Sequence, residues 1–169
     1  MSASNDFRIQ DYTTASLRIT STVSYSGKTA AEVFKLMGDP ESIPDWYILA
    51  KAVKYNADHS TEAPSFNVVF SLFGEVSERV LYWDPPYRYV YSASGPQFPI
   101  KDYVASIEVE ESGDQKGLVR WSIYLDTIEG DEFQRLIPII LPPINEASMR
   151  NLGKMIGGTS SEVSSFFDA

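Results

Sequence analysis

Between residues 48 and 126 the chain offers six successive strand-like segments, at about 48–56, 65–73, 75–84, 87–94, 101–111 and 117–126. A parallel crossover needs about a dozen residues between strands, and the turns here are shorter, so neighbouring strands are expected to run antiparallel. Gly74 suits one hairpin turn, Asp84-Pro85-Pro86 the next, and Ser112 to Gly117 a third. A further strand precedes them: Leu17, Ile19, Ser21, Val23 and Tyr25 alternate with polar or cationic neighbours, which puts one face inward.

Helical spacing appears in two places. Thr29-Ala-Ala-Glu32 has the capping-box pattern, and Val33, Phe34, Leu36 and Met37 follow on a helical face that Gly38-Asp39-Pro40 must end. Glu41 to Trp46 reads as a second short helix. Near the C-terminus, Asp131 to Leu141 has helical character, which Pro142-Pro143 is expected to stop. Beyond it, Met149, Leu152, Ile156, Val163 and Phe166 form one apolar stripe, predicting a long final helix that begins between Asn145 and Met149. The first fifteen residues are weakly patterned and read as a tail or an added edge, with a single domain over 16–169.

Composition excludes several classes of function. The chain has 169 residues, no cysteine, one histidine and a formal charge of −9. Disulfides and thiolate chemistry are absent, and a soft-metal site is not expected. The acidic balance argues against nucleic acid as a partner. The longest apolar run, Leu136 to Ile144, has nine residues and three prolines, whereas a membrane span needs about 20. The N-terminus lacks the pattern of a secretory signal, so the expected address is cytoplasmic. His59 lies in the polar stretch Asn56 to Glu62. No phosphate-binding loop, dinucleotide fingerprint or nucleophile elbow occurs, so no cofactor is expected.

The order strand, two short helices, six antiparallel strands and a C-terminal helix resembles the START and birch-pollen-allergen-like superfamily. Its fold is α+β, the helix grip: a curved seven-stranded antiparallel sheet wrapped around a long C-terminal helix. Within that superfamily the chain is most similar to the polyketide cyclase/dehydrase and lipid-transport branch. The residues that carry the resemblance are "AAEVFKLMGDPESIPDW" (30–46), "ERVLYWDPPYRYVY" (78–91) and "LVRWSIYL" (118–125).

Alternation sorts side chains onto the two faces of this sheet. Tyr103, Ala105 and Ile107 share an inward face, as do Trp121 and Ile123, and Tyr89 with Tyr91. Strand 75–84 is partly apolar on both faces; the resemblance places Glu78 and Tyr82 inward and Trp83 outward. So many tyrosine hydroxyls on one concave surface either find partners in a packed core or line a hollow. A buried Glu78 carboxyl would have a raised pKa unless a cation supported it, and Lys51 is the candidate partner.

The resemblance implies a cavity between sheet and C-terminal helix that holds a hydrophobic or aromatic small molecule. Its expected lining is Trp46, Lys51, Phe70, Glu78, Tyr82, Tyr89, Tyr91, Tyr103, Ala105, Ile107, Trp121, Ile123, Met149, Leu152 and Ile156. A binding or transport protein is one implied function. A polyketide cyclase-like enzyme is the alternative, with Glu78, Tyr91 and Tyr103 as acid/base candidates, and a co-chaperone-like interaction module is a third. Segment 130–158, with its prolines and with Gly153, Gly157 and Gly158, is expected to gate the cavity.

Overall fold

The capping box at Thr29 is formed in full: the Thr29 side chain accepts from the Glu32 amide, and the Glu32 carboxylate accepts from the Thr29 amide at 2.8 Å. It starts α1 (Ala30–Met37), whose Ala30, Val33, Phe34 and Met37 are buried. A single 3-10 turn at Pro40–Ser42 leads into the four-residue α2 (Ile43–Trp46). The computed structural model describes residues 6–55, 65–98, 100–127, 133–158 and 161–167. His59 and most of the 56–65 loop lie outside the described residues, as does 128–132.

The strands are β1 (Leu17–Ser26), β2 (Ala50–Tyr55), β3 (Ser65–Phe70), β4 (Gly74–Asp84), β5 (Arg88–Ser94), β6 (Ile100–Gly113), β7 (Lys116–Thr127) and β8 (Ser161–Phe167). They form one antiparallel sheet in the order β2-β3-β4-β5-β6-β7-β1-β8. The first seven strands make the curved sheet of a helix-grip fold, with the long helix α3 (Phe133–Ile156) packed chiefly on β1. Ile19, Val23, Ile107, Val119, Ile123 and Leu125 from the concave face pack in one cluster with Met149, Leu152 and Ile156 of α3. On the convex face Glu108 accepts from Arg88 at 3.2 Å and from Arg120 at 3.1 Å, and Arg120 also pairs with Glu110.

The C-terminal region departs from the expectation in two ways. First, α3 starts at Phe133 and runs through Pro138, Pro142 and Pro143 instead of starting near Asn145. A proline inside a helix deprives the carbonyl four residues earlier of its amide, here at residues 134, 138 and 139. Buried Ile137 and Leu141, anchored in the core on one face, hold the helix together across that gap. Second, the chain does not stay helical to Val163 and Phe166. Gly157 adopts φ +73°, a left-handed conformation natural to glycine that ends the helix. Residues 161–167 then return as an eighth strand on β1, with Ser21 opposite Val163. The apolar spacing past Ile156 therefore belongs to a strand. Among the described residues no helix is long and apolar enough to cross a membrane.

Candidate functional site

A cavity of about 310 Å³ lies between the concave face of the sheet, the α1–α2 corner and the first half of α3. Trp46, Phe70, Glu78, Tyr89, Tyr91, Tyr103, Ile107, Trp121 and Ile123 all line it. Antiparallel pairing explains why they converge. Glu78 stands opposite Ala93, Tyr91 opposite Ala105, and Ile107 opposite Trp121, so residues of one parity on four strands share one surface.

Six expected residues are placed elsewhere. Lys51 is exposed at an irregularity between Ala50 and Ala52 on the edge strand, and it lies outside the cavity lining that contains Glu78. Met149, Leu152 and Ile156 are packed core with no exposure, because the second half of α3 sits directly on the sheet. Ala105 is buried in the sheet without lining the hollow.

Tyr82 is the instructive case. A β-bulge at Leu81 lets Val80 pair with Tyr91 and Tyr82 pair with Val90, so two successive side chains point to the convex face. Tyr82 there meets Phe7 and Tyr12, with ring centroids 5.1 and 6.0 Å away. Trp83 accordingly turns inward, opposite Tyr89. It packs edge-on against Phe34 at 5.0 Å and lines the cavity while 45% exposed, which places it at the mouth. Its ring fits because residue 38 has no side chain: a Cβ there would stand 2.5 Å from Trp83 Cζ-side carbon Cη2.

Sequence reasoning also missed Tyr47, Tyr55, Phe73, Phe98 and Leu141 in the lining. Tyr47 follows directly on Trp46 at the end of α2, and the two rings flank Trp121 at 5.6 Å each, nearly perpendicular to it. Phe73 and Phe98 meet edge-on at 5.7 Å, from the turn before β4 and the loop after β5. Aromatic residues in the turns flanking inward-facing strands were the available signal.

The polar groups of the hollow include one connected chain, one phenol bonded to the backbone, and two groups that no described residue pairs. Trp121 Nε1 donates to the Tyr91 hydroxyl at 3.1 Å, and Tyr91 is hydrogen-bonded in turn to Tyr103. The Tyr89 hydroxyl donates to the Met37 carbonyl at 2.7 Å. Burial raises Tyr89, Tyr91 and Tyr103 well above the usual phenol range, so all three are neutral donors and acceptors at ordinary pH. Burial also raises Tyr47, with the nearby Glu78 adding to it. Glu78 is the first of the two groups that no described residue pairs. It is 8% exposed, no described residue donates to its carboxyl, and burial alone pushes its pKa up to about 8. The Trp46 indole N–H is also buried without an acceptor. Among the described residues no group of three or more histidine or carboxylate side chains converges.

A family model described as polyketide cyclase / dehydrase and lipid transport matches residues 16–156. Among solved structures, the Zhui aromatase/cyclase from a Streptomyces species superposes with a TM-score of 0.70 at 9% identity, covering 83% of this chain and 94% of that one. The protein XoxI from Bacillus cereus gives a TM-score of 0.67 at 20% identity, covering 82% and 94%. A START superfamily protein from Mycobacterium smegmatis gives 0.61 at 11% identity, covering 82% and 99%. At these identities the likeness is one of fold. No curated protein matches the chain.

Proposed function

This chain belongs to the polyketide cyclase / dehydrase and lipid transport family, and on that premise we propose that it binds one hydrophobic or aromatic small molecule in the cavity beneath α2 and the first half of α3. The observation that carries this reading is the cavity itself: about 310 Å³ lined mainly by rings and aliphatic side chains, with one carboxyl and one indole N–H that have no partner among the described residues. A void walled by apolar groups loses their mutual contacts, and polar groups left unpaired at its edge lose hydrogen bonds as well. A ligand with an apolar body and a small polar end supplies both. The volume is at the low end for pockets that hold small molecules, which suits a ring system or a single short chain. A cytoplasmic protein without a nucleic-acid partner is consistent with its cysteine-free acidic composition.

The test uses a neutral apolar fluorophore, N-phenylnaphthylamine, together with native mass spectrometry of the purified protein. Saturable binding at one site, lost when Val80→Trp fills the hollow, is the expected result. Binding that survives that filling, or no binding at all with nothing co-purified, would remove the reading.

An enzymatic role is the second reading, and one observation favours it. A carboxyl pushed up to about 8 is poised to exchange a proton near neutral pH, and the Trp121-Tyr91-Tyr103 chain lies on the same surface. Glu78 would then act as acid or base on a bound carbonyl compound, with Tyr103 as a donor to its oxygen. Turnover of a polyketone substrate that Glu78→Gln abolishes while binding persists would separate enzyme from carrier.

A further inference from the structure

Glu78 sits in the cavity wall, and among the described residues no cation stands beside it. Among the described residues no lysine, arginine or histidine lines the hollow, and none donates a hydrogen bond to the carboxyl. What surrounds it is aromatic. Tyr47, Tyr89, Tyr91 and Tyr103 all lie near enough for a negative charge on Glu78 to disfavour their ionisation. Trp121, with Tyr47 and Trp46 set nearly perpendicular to it, lines the same hollow.

Each class of ligand head group meets this wall differently. An anionic head group, such as a fatty-acid carboxylate, finds no donor cation among the described lining residues, shares at most one proton with the Glu78 carboxyl, and must also approach a protein of formal charge −9. A neutral head group leaves the carboxyl either charged and uncompensated or held in its protonated form. A cationic nitrogen supplies the missing charge together with N–H donors. Its remaining surface meets ring faces, whose quadrupoles attract a cation most strongly when water is excluded. Phenol oxygens accept any N–H the carboxylate does not take.

We propose that the bound molecule carries a basic nitrogen on its apolar body, and that the Glu78 carboxylate is the counter-ion for that nitrogen inside the aromatic wall. The inference rests on the small-molecule reading of the cavity given above. An amine that enters neutral takes up the Glu78 proton, and one that enters charged displaces that proton to solvent; the same ion pair results.

The test compares three probes of one shape: naphthylethylamine, naphthylethanol and naphthylacetate, titrated by calorimetry into the full chain and into Glu78→Gln. The amine should bind the wild-type protein at least about tenfold more tightly than the alcohol, and the acetate most weakly. In Glu78→Gln the amine should fall to the level that the alcohol shows in the same variant. The wild-type ranking needs no variant, so a misfolded Glu78→Gln protein would not shield the proposal. An amine no tighter than the alcohol would overturn the proposal while leaving the cavity reading intact. An amine preference that persists in Glu78→Gln would overturn the role of Glu78. If none of the probes binds and N-phenylnaphthylamine also fails, both readings fall together.

Discussion

The indole Nε1 of Trp121 donates to the hydroxyl of Tyr91 at 3.1 Å, and both rings are buried on the concave face of the sheet. Tyr91→Phe removes the acceptor and strands the indole N–H, which should cost about 1–3 kcal/mol. Trp121→Ala should cost more, about 3–5 kcal/mol, because it also empties volume in the core. Urea denaturation of Tyr91→Phe, Trp121→Phe and the double variant tests the link. The two single costs should exceed the cost of the double variant, since the shared bond is lost only once. Strict additivity would mean that the bond contributes nothing.

The raised Glu78 pKa makes stability depend on pH with a definite sign. The folded state holds the proton up to about pH 8, while the unfolded chain releases it near 4.5. The contribution of this group is therefore complete below pH 4.5 and declines as pH rises toward 8. Between pH 5 and 8 the wild-type protein should lose stability relative to Glu78→Gln at up to about 1.4 kcal/mol per pH unit. Urea midpoints of the two proteins across that range measure it. A difference that stayed flat across that range would show that Glu78 is held as an anion in the fold.

Two glycine substitutions should separate a yielding neighbour from an unyielding one. Gly38→Ala brings a methyl group to 2.5 Å from the Trp83 ring, which is half exposed and free to swing away. Its stability cost should stay below about 1 kcal/mol, while tryptophan emission and access to the cavity change. Gly157→Ala instead places a methyl group 2.4 Å from the Ser26 carbonyl oxygen, at a φ of +73°. Backbone cannot swing away, so this variant should lose at least about 1–3 kcal/mol. Thermal unfolding of both variants provides the comparison.

Hydrogen exchange should divide α3 at its prolines. Residues 133–144 carry Pro138, Pro142 and Pro143 and include exposed Leu136 and Ile139, whereas Met149, Leu152 and Ile156 are fully buried. The first half should exchange rapidly and be slowed by a bound probe; residues 146–156 should be protected as well as β6 and β7. The gate expected from sequence over 130–158 thus contracts to the part of α3 that roofs the hollow. Uniform protection along the helix would place ligand entry elsewhere.

What sequence could and could not reveal follows from how local each determinant is. The capping box at Thr29, the alternation of β1, β6 and β7, and the turn at Asp84 are set within a few residues, and each was readable. So were Tyr89, Tyr91 and Trp121 as inward rings, because regular pairing carries their parity across three strands. The direction of Tyr82 was not readable, since no glycine or proline marks Leu81; the bulge exists only in the register with β5. The continuation of α3 through three prolines depends on Ile137 and Leu141 finding a core built by distant strands. For β8, apolar spacing alone does not distinguish one more helical turn from a strand, and only the free edge of β1 decides it.

The bulge at Leu81 separates the size of the cavity from its chemistry. Without that residue, Val80 would still stand opposite Tyr91, Tyr82 opposite Val90 and Trp83 opposite Tyr89, so every other side chain on β4 would keep its face. What the strand would lose is the added bend and twist that an extra residue imposes. A one-residue deletion at this position would thus resize the hollow while preserving its lining, whereas a deletion elsewhere in β4 would turn part of that lining inside out. Variation in strand length, more than exchange of side chains, is the route by which a binding site of this kind can adapt to a larger or smaller guest.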